Sequence, residues 1–168
     1  PAYNGNAAVQ KVQREFVYLL PDVVVVFDRV RSAAGTAQTW QLASPVAATI
    51  SGATATITAS GHALKIQKIS GGTMAVTSMA SVNADYSGGF RLDERLAGGD
   101  NRYLHVLSID GSVSSTTSAG DATHPGVTVH LANGHNATVT FNRDTTGATL
   151  VLDGVTKTLG ATVDVLPE

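Results

Sequence analysis

The stretch Phe16-Val17-Tyr18-Leu19-Leu20-Pro21-Asp22-Val23-Val24-Val25-Val26-Phe27 decides how this chain folds. Its four consecutive valines are β-branched and stiff at χ1, which suits a pleated strand better than a helix. A run that is apolar at every position, without alternation, predicts a strand covered on both faces. Pro21-Asp22 divides the apolar sequence into two strands, because Pro fixes φ and Asp accepts turn hydrogen bonds. Asn6–Glu15, just upstream, is the best helical candidate in the chain, and the strand signal that follows overrides it.

Working outward, strands are expected at Thr39–Leu42, Ala47–Ile50, Ala53–Thr58, Ala63–Ile69, Met74–Ser78, Gly89–Leu96 and Arg102–Ile109. Ser51-Gly52 and Ala97-Gly98-Gly99-Asp100 supply turns between them. The segment Asp110–Gly126, with its Ser and Thr run at 114–118, reads as the longest surface loop. Beyond it the alternation is clean: Val127, Val129 and Leu131 oppose Thr128 and His130, and after Asn133-Gly134 the residues Ala137, Val139 and Phe141 oppose Thr138 and Thr140. About a dozen short antiparallel strands at ~8–12-residue spacing predict an all-β antiparallel sandwich with almost no helix.

The 168 residues fit one domain, and neither a repeat nor a break in composition marks a linker. A single sandwich over 1–168 is therefore expected, as a fragment or processed part of a larger secreted protein. Apolar residues make up 43% and charged residues 14%, so a core is affordable and the surface must be built from Thr, Ser, Asn, Gln and Gly. A net charge of −2 gives no footprint for nucleic acid or for an anionic membrane. No run approaches the ~20 apolar residues of a membrane-spanning helix. The absence of cysteine excludes disulfides, thiolate nucleophiles and Cys-ligated zinc. The low-charge, Thr-rich composition points to an extracellular or periplasmic setting.

The residues from Val12 to Val30, in which a strand, a Pro-Asp turn and an apolar strand ending in Asp28-Arg29 follow one another, resemble the sandwich region of heparinase II/III-like polysaccharide lyases. Thr39–Pro45, Phe90–Leu96 and Tyr103–Leu107 resemble that family's following strands, so the likeness covers about the first 110 residues. It implies an antiparallel sandwich that follows an α-helical toroid, with β-elimination of uronate-containing polysaccharide in the cleft between them. It also implies that the residues handling the abstracted proton lie mainly in the toroid. In some members the sandwich holds a divalent metal through an Asp at the position of Asp28 and a His at that of Ala43. Alanine cannot ligate a metal, so no metal and no cofactor is expected.

Five histidines occur, at 62, 105, 124, 130 and 135. His130 and His135 flank the Asn133-Gly134 turn, but a zinc site needs further ligands, and they read as solvent-facing. His105 shares a strand face with Tyr103 and Leu107, which gives a base and an acid for β-elimination if open to substrate and a packed core histidine if not. Asp93 and Glu94 are adjacent in a strand and face opposite sides, so they cannot act as paired carboxylates; ion pairing on a solvated face accounts for them. Asp110-Gly111 and Asp153-Gly154 read as turns without a calcium-loop spacing. Trp40 reads as core. Tyr86, Tyr103 and His105 are the candidate glycan contacts, and no residue is expected to be catalytic. The expected function is a non-catalytic structural or glycan-contacting domain of such a lyase, with polysaccharide and the helical toroid as partners. The alternative is a self-associating extracellular structural protein, since strands rich in Thr and Val with few Lys leave edges open to pairing.

Overall fold

The computed structural model describes residues 7–79 and 88–160, and they are all-β. The chain forms two compact units, Pro1–Gly111 and Ser112–Glu168.

The first unit holds β1 (Val9–Leu19), β2 (Val23–Ser32), β3 (Gln38–Ser44), β4 (Thr49–Ser51), β5 (Thr54–Ala59), β6 (His62–Ser70), β7 (Thr73–Ser78), β8 (Phe90–Leu96) and β9 (Asp100–Ile109). They make a six-stranded sheet in the order β1-β2-β9-β6-β5-β4 and a three-stranded sheet in the order β3-β8-β7, with every neighbouring pair antiparallel. Trp40 and Leu92 from the small sheet share a core with Ala55, Ile57, Ile66 and Tyr103 from the large one, so the two sheets face each other as the layers of a sandwich. Pro21-Asp22 is the connection between β1 and β2, and the Leu20–Pro21 peptide is cis.

The valine run becomes β2, second from the edge of the large sheet, and Val23, Val25, Val26 and Phe27 are all buried. Odd and even positions are thus both covered, as the unbroken apolar run predicts. Burying each such side chain stabilises the fold by roughly 1.5–3 kcal/mol. Because side chains alternate, Val26, Asp28 and Val30 share one face and Val25, Phe27 and Arg29 the other. Arg29, fully buried, pairs with Glu15 of β1 and lies 4.7 Å from the centre of the Phe27 ring.

The second unit is a meander of β10 (Val113–Gly120), β11 (Pro125–Leu131), β12 (Asn136–Phe141), β13 (Ala148–Leu152) and β14 (Val155–Leu159), hydrogen-bonded in sequence order. Val127, Val129, Ala137, Val139 and Phe141 are fully buried, while Thr128 and Thr138 hydrogen-bond across the strands at 2.8 Å. The expected loop at Asp110–Gly126 is corrected here, because Val113–Gly120 within it is β10 and Pro125 already opens β11. Strand β10 sits at a sheet edge and is largely exposed, so it carries Ser and Thr where a central strand would carry apolar residues.

Candidate functional site

The interior of the first sandwich holds a polar cluster built from both layers. In β8 the residues Leu92, Glu94 and Leu96 are in phase, which carries Glu94 into the core with its apolar neighbours. In β9 the same alternation puts Tyr103 and His105 on one face, with Asp28 opposite Tyr103 and Val26 opposite His105 in β2. His105 Nε2 meets Glu94 Oε2 at 2.6 Å, and the Gly72 N–H donates to Glu94 Oε1 at 2.5 Å. Both side chains of the His105–Glu94 pair are wholly shielded from solvent. Trp40 of β3 stacks on the His105 ring, with centroids 4.2 Å apart and planes 24° from parallel.

The approach of Gly72 to Glu94 depends on the glycine beside it. Gly71 has φ +150°, and a Cβ there would fall 1.6 Å from Glu94 Oε1. Only a residue without a side chain lets the backbone turn so close to the buried carboxylate.

Beside this cluster lies a pocket of about 440 Å³ lined by residues of β1, β2, β3, β9 and the turn before β3, among them Arg14, Asp28, Gln38, Trp40 and Tyr103. Arg14 grips the buried Asp28 with two bonds, Nε to Oδ1 at 2.6 Å and Nη2 to Oδ2 at 3.0 Å. The same guanidinium lies 5.9 Å from the centre of the Trp40 ring and 6.0 Å from that of Phe16. Trp40 Nε1, the Tyr103 hydroxyl and His105 Nδ1 are buried without a hydrogen-bond partner. Burial first, then the negative charges of Glu94 and Asp28, push the Tyr103 phenol up to about 12.

The candidate glycan contacts fare differently. Tyr103 and His105 do share a face, but both are buried, and Tyr103 is the one that lines the pocket. Tyr86, like Tyr3, lies outside the described residues. Trp40 is core, as expected, with His105 against one ring face. Asp28 is committed to Arg14, and Ala43 is exposed on β3. Among the described residues no group of three or more His, Asp and Glu side chains comes together as metal ligands.

Asp93 and Glu94 diverge as the alternation requires, but the solvated face assigned to them is corrected: both are fully buried. Asp93 accepts from Arg91, two residues away in its own strand, at 2.5 and 3.0 Å, and from the Thr77 hydroxyl of β7 at 3.0 Å. Burial pushes the Asp93 carboxyl up, and the bonds from Arg91, Thr77 and Arg95 outweigh it, holding the group below the usual carboxylate range. The signal for Glu94 was present in the sequence, in its phase with Leu92 and Leu96. The convergence of positions 14, 28, 40 and 103 had no local signal.

The remaining histidines sit in or beside turns and strand ends, each with a separate partner. His62 meets Asp110 at 2.6 Å, His130 meets Asn136 at 2.5 Å, His124 lies 3.6 Å from Asp121, and His135 pairs with Asp153. His130 and His135 are therefore engaged apart. Asp110 and Asp153, at φ 51° and 47°, also accept backbone N–H groups from Ala63 and Asn136, as turn residues do. No protein-family model matches this chain, and a search of curated proteins finds no match either.

Proposed function

We propose that the chain is the β-sandwich part of a secreted heparinase II/III-like polysaccharide lyase, non-catalytic in itself, with a structural and glycan-contacting role toward an acidic, uronate-containing polysaccharide. Cleavage would belong to a helical toroid elsewhere in the parent protein. The observation that carries this reading is the sealing of His105 and Glu94 between the two sheets, under Trp40. A general base has to come within hydrogen-bond reach of the proton that it removes. This pair instead ties one layer of the sandwich to the other. The likeness of Val12–Val30 and Tyr103–Leu107 to the lyase strands supports the family.

The test mixes the purified chain with heparan sulfate and with alginate, follows the absorbance of unsaturated uronate products, and runs the chain through native gels containing each polymer. No absorbance increase and retarded migration with at least one polymer are expected. Turnover by the chain alone, or free migration in both gels, overturns the reading.

One observation favours the alternative of self-association. Val12, Phe16 and Tyr18 of β1, with Leu20 just after it, are more than half exposed, and β1 ends its sheet with no further strand beside it among the described residues. An open edge with apolar side chains is a template for pairing. Light scattering decides: mass that grows with concentration supports assembly, and a monomer at the highest soluble concentration removes it.

A further inference from the structure

We propose that the pocket between β1, β2, β3 and β9 binds an uncharged, hydroxyl-rich ring, a neutral sugar residue, through hydrogen bonds to Trp40 Nε1 and the Tyr103 hydroxyl. Its volume, about 440 Å³, falls in the range of small-molecule sites, roughly 300–1,000 Å³. Two of its lining side chains, Trp40 and Tyr103, are more than nine-tenths buried and carry polar atoms without a partner. Folded proteins leave few such atoms unmatched, and those that remain call for a missing water, ion or ligand. An indole N–H only donates, whereas a phenol both donates and accepts. A sugar hydroxyl does both and satisfies each of them.

The charges around the pocket select against an ion. Among the described residues Arg14 and Asp28 are its only charged lining residues, and they hold each other through two bonds. An anion meets a guanidinium whose charge Asp28 offsets, and a cation finds the carboxylate held by two charged hydrogen bonds. Burial, and after it the charges of Glu94 and Asp28, keep the Tyr103 phenol protonated, so it remains a hydrogen-bonding group, and those two charges disfavour a carboxylate beside it. Recognition here is not by ring stacking, since Trp40 has His105 at 4.2 Å on its face and the Arg14 guanidinium 5.9 Å from its centre. The indole edge is what it offers.

The inference goes beyond the lyase reading, which concerns an acidic polymer, and an acidic polymer with an uncharged sugar in its repeat would meet both. Trp40 is the chain's single tryptophan, so its emission reports this pocket alone. Titration with cellobiose, glucuronic acid and glucosamine is expected to give a saturable change with cellobiose and at least tenfold weaker responses to the two charged sugars. Tyr103→Phe removes the unpartnered oxygen and is expected to bind cellobiose about fivefold more weakly, with an unfolding temperature no lower than that of the parent. Ala37→Phe, on the exposed turn that lines the mouth, is expected to weaken binding as well. No saturable response to cellobiose, an equal response to glucuronic acid, or undiminished binding in both variants overturns the proposal. Retardation by an acidic polymer without a cellobiose response leaves the lyase reading standing and removes this one.

Discussion

The indole of Trp40 lies on the imidazole of His105, 4.2 Å between ring centres, while the imidazole's Nε2 holds Glu94. Two residues from two other strands, Trp40 of β3 and Glu94 of β8, therefore depend on one ring. His105→Ala leaves a carboxylate buried without its partner and opens a cavity under Trp40, a combination expected to cost about 3–5 kcal/mol. Glu94→Gln keeps an acceptor for the Gly72 N–H and removes the charge, so its loss should be smaller. Urea denaturation of the two variants checks the order, and a His105→Ala chain as stable as the parent would contradict it.

Gly71 and Gly61 make a controlled pair. Both have positive φ, +150° and +83°, but a Cβ on Gly61 meets nothing within 4 Å while one on Gly71 collides with Glu94. Gly61→Ala is expected to cost about 1–2 kcal/mol from backbone strain alone. Gly71→Ala meets a backbone conformation still less open to an L residue, and overpacking adds roughly 1–3 kcal/mol and displaces the carboxylate. Equal unfolding free energies would show that the Glu94 contact is not tight.

Arg14 and Asp28 are unequal partners, since the carboxylate is buried and the guanidinium is partly open to water. Arg14→Ala strands a buried charge and is expected to destabilise the fold by about 1–3 kcal/mol, the lower end reflecting solvent near the arginine. Asp28→Asn removes the charge while its amide oxygen can still accept from Arg14, and should cost less. Thermal unfolding distinguishes the two.

Acid and base act on different pairs. The Arg102 bond, with help from Arg31, holds the Asp100 carboxyl down to about 2 against its ordinary 3.8. A depressed folded value means that stability is fully present above pH 3.8 and is lost as pH falls from there toward about 2. The bond to Asp110 raises His62 above 6.5, so its contribution is present below pH 6.5 and disappears as pH rises through the raised value. Proton NMR titration is expected to place His62 above 6.5, and Asp110→Asn should return it there. An unshifted His62 in the parent chain would dismiss the pair.

Much of the fold could be read from the residues. Val23–Phe27 announced a strand covered on both faces, and the alternation at Val127–Phe141 announced two strands with one dry face, because in both places the apolar pattern is local. The strand at Val113–Gly120 stayed hidden, since an edge strand needs little apolar surface. The buried acids were misread because charge argues for solvent unless partners are known, and those partners, His105 and Gly72 for Glu94 and Thr77 for Asp93, come mostly from other strands. The pocket was illegible for the same reason: its parts are separated by as many as 94 positions, from Val9 to Tyr103.

Asp93 and Glu94 also bear on how the chain avoids folding wrongly. A one-residue slip of β8 against its neighbours would turn Glu94 toward the arginines and bring Asp93, a methylene shorter, or Arg95 to face His105. Two adjacent acids, each with its own set of partners on its own side, make that misalignment costly in charge and in reach at once. The sequence thereby carries a penalty against its nearest competitor structure, written in the two positions that looked most like surface.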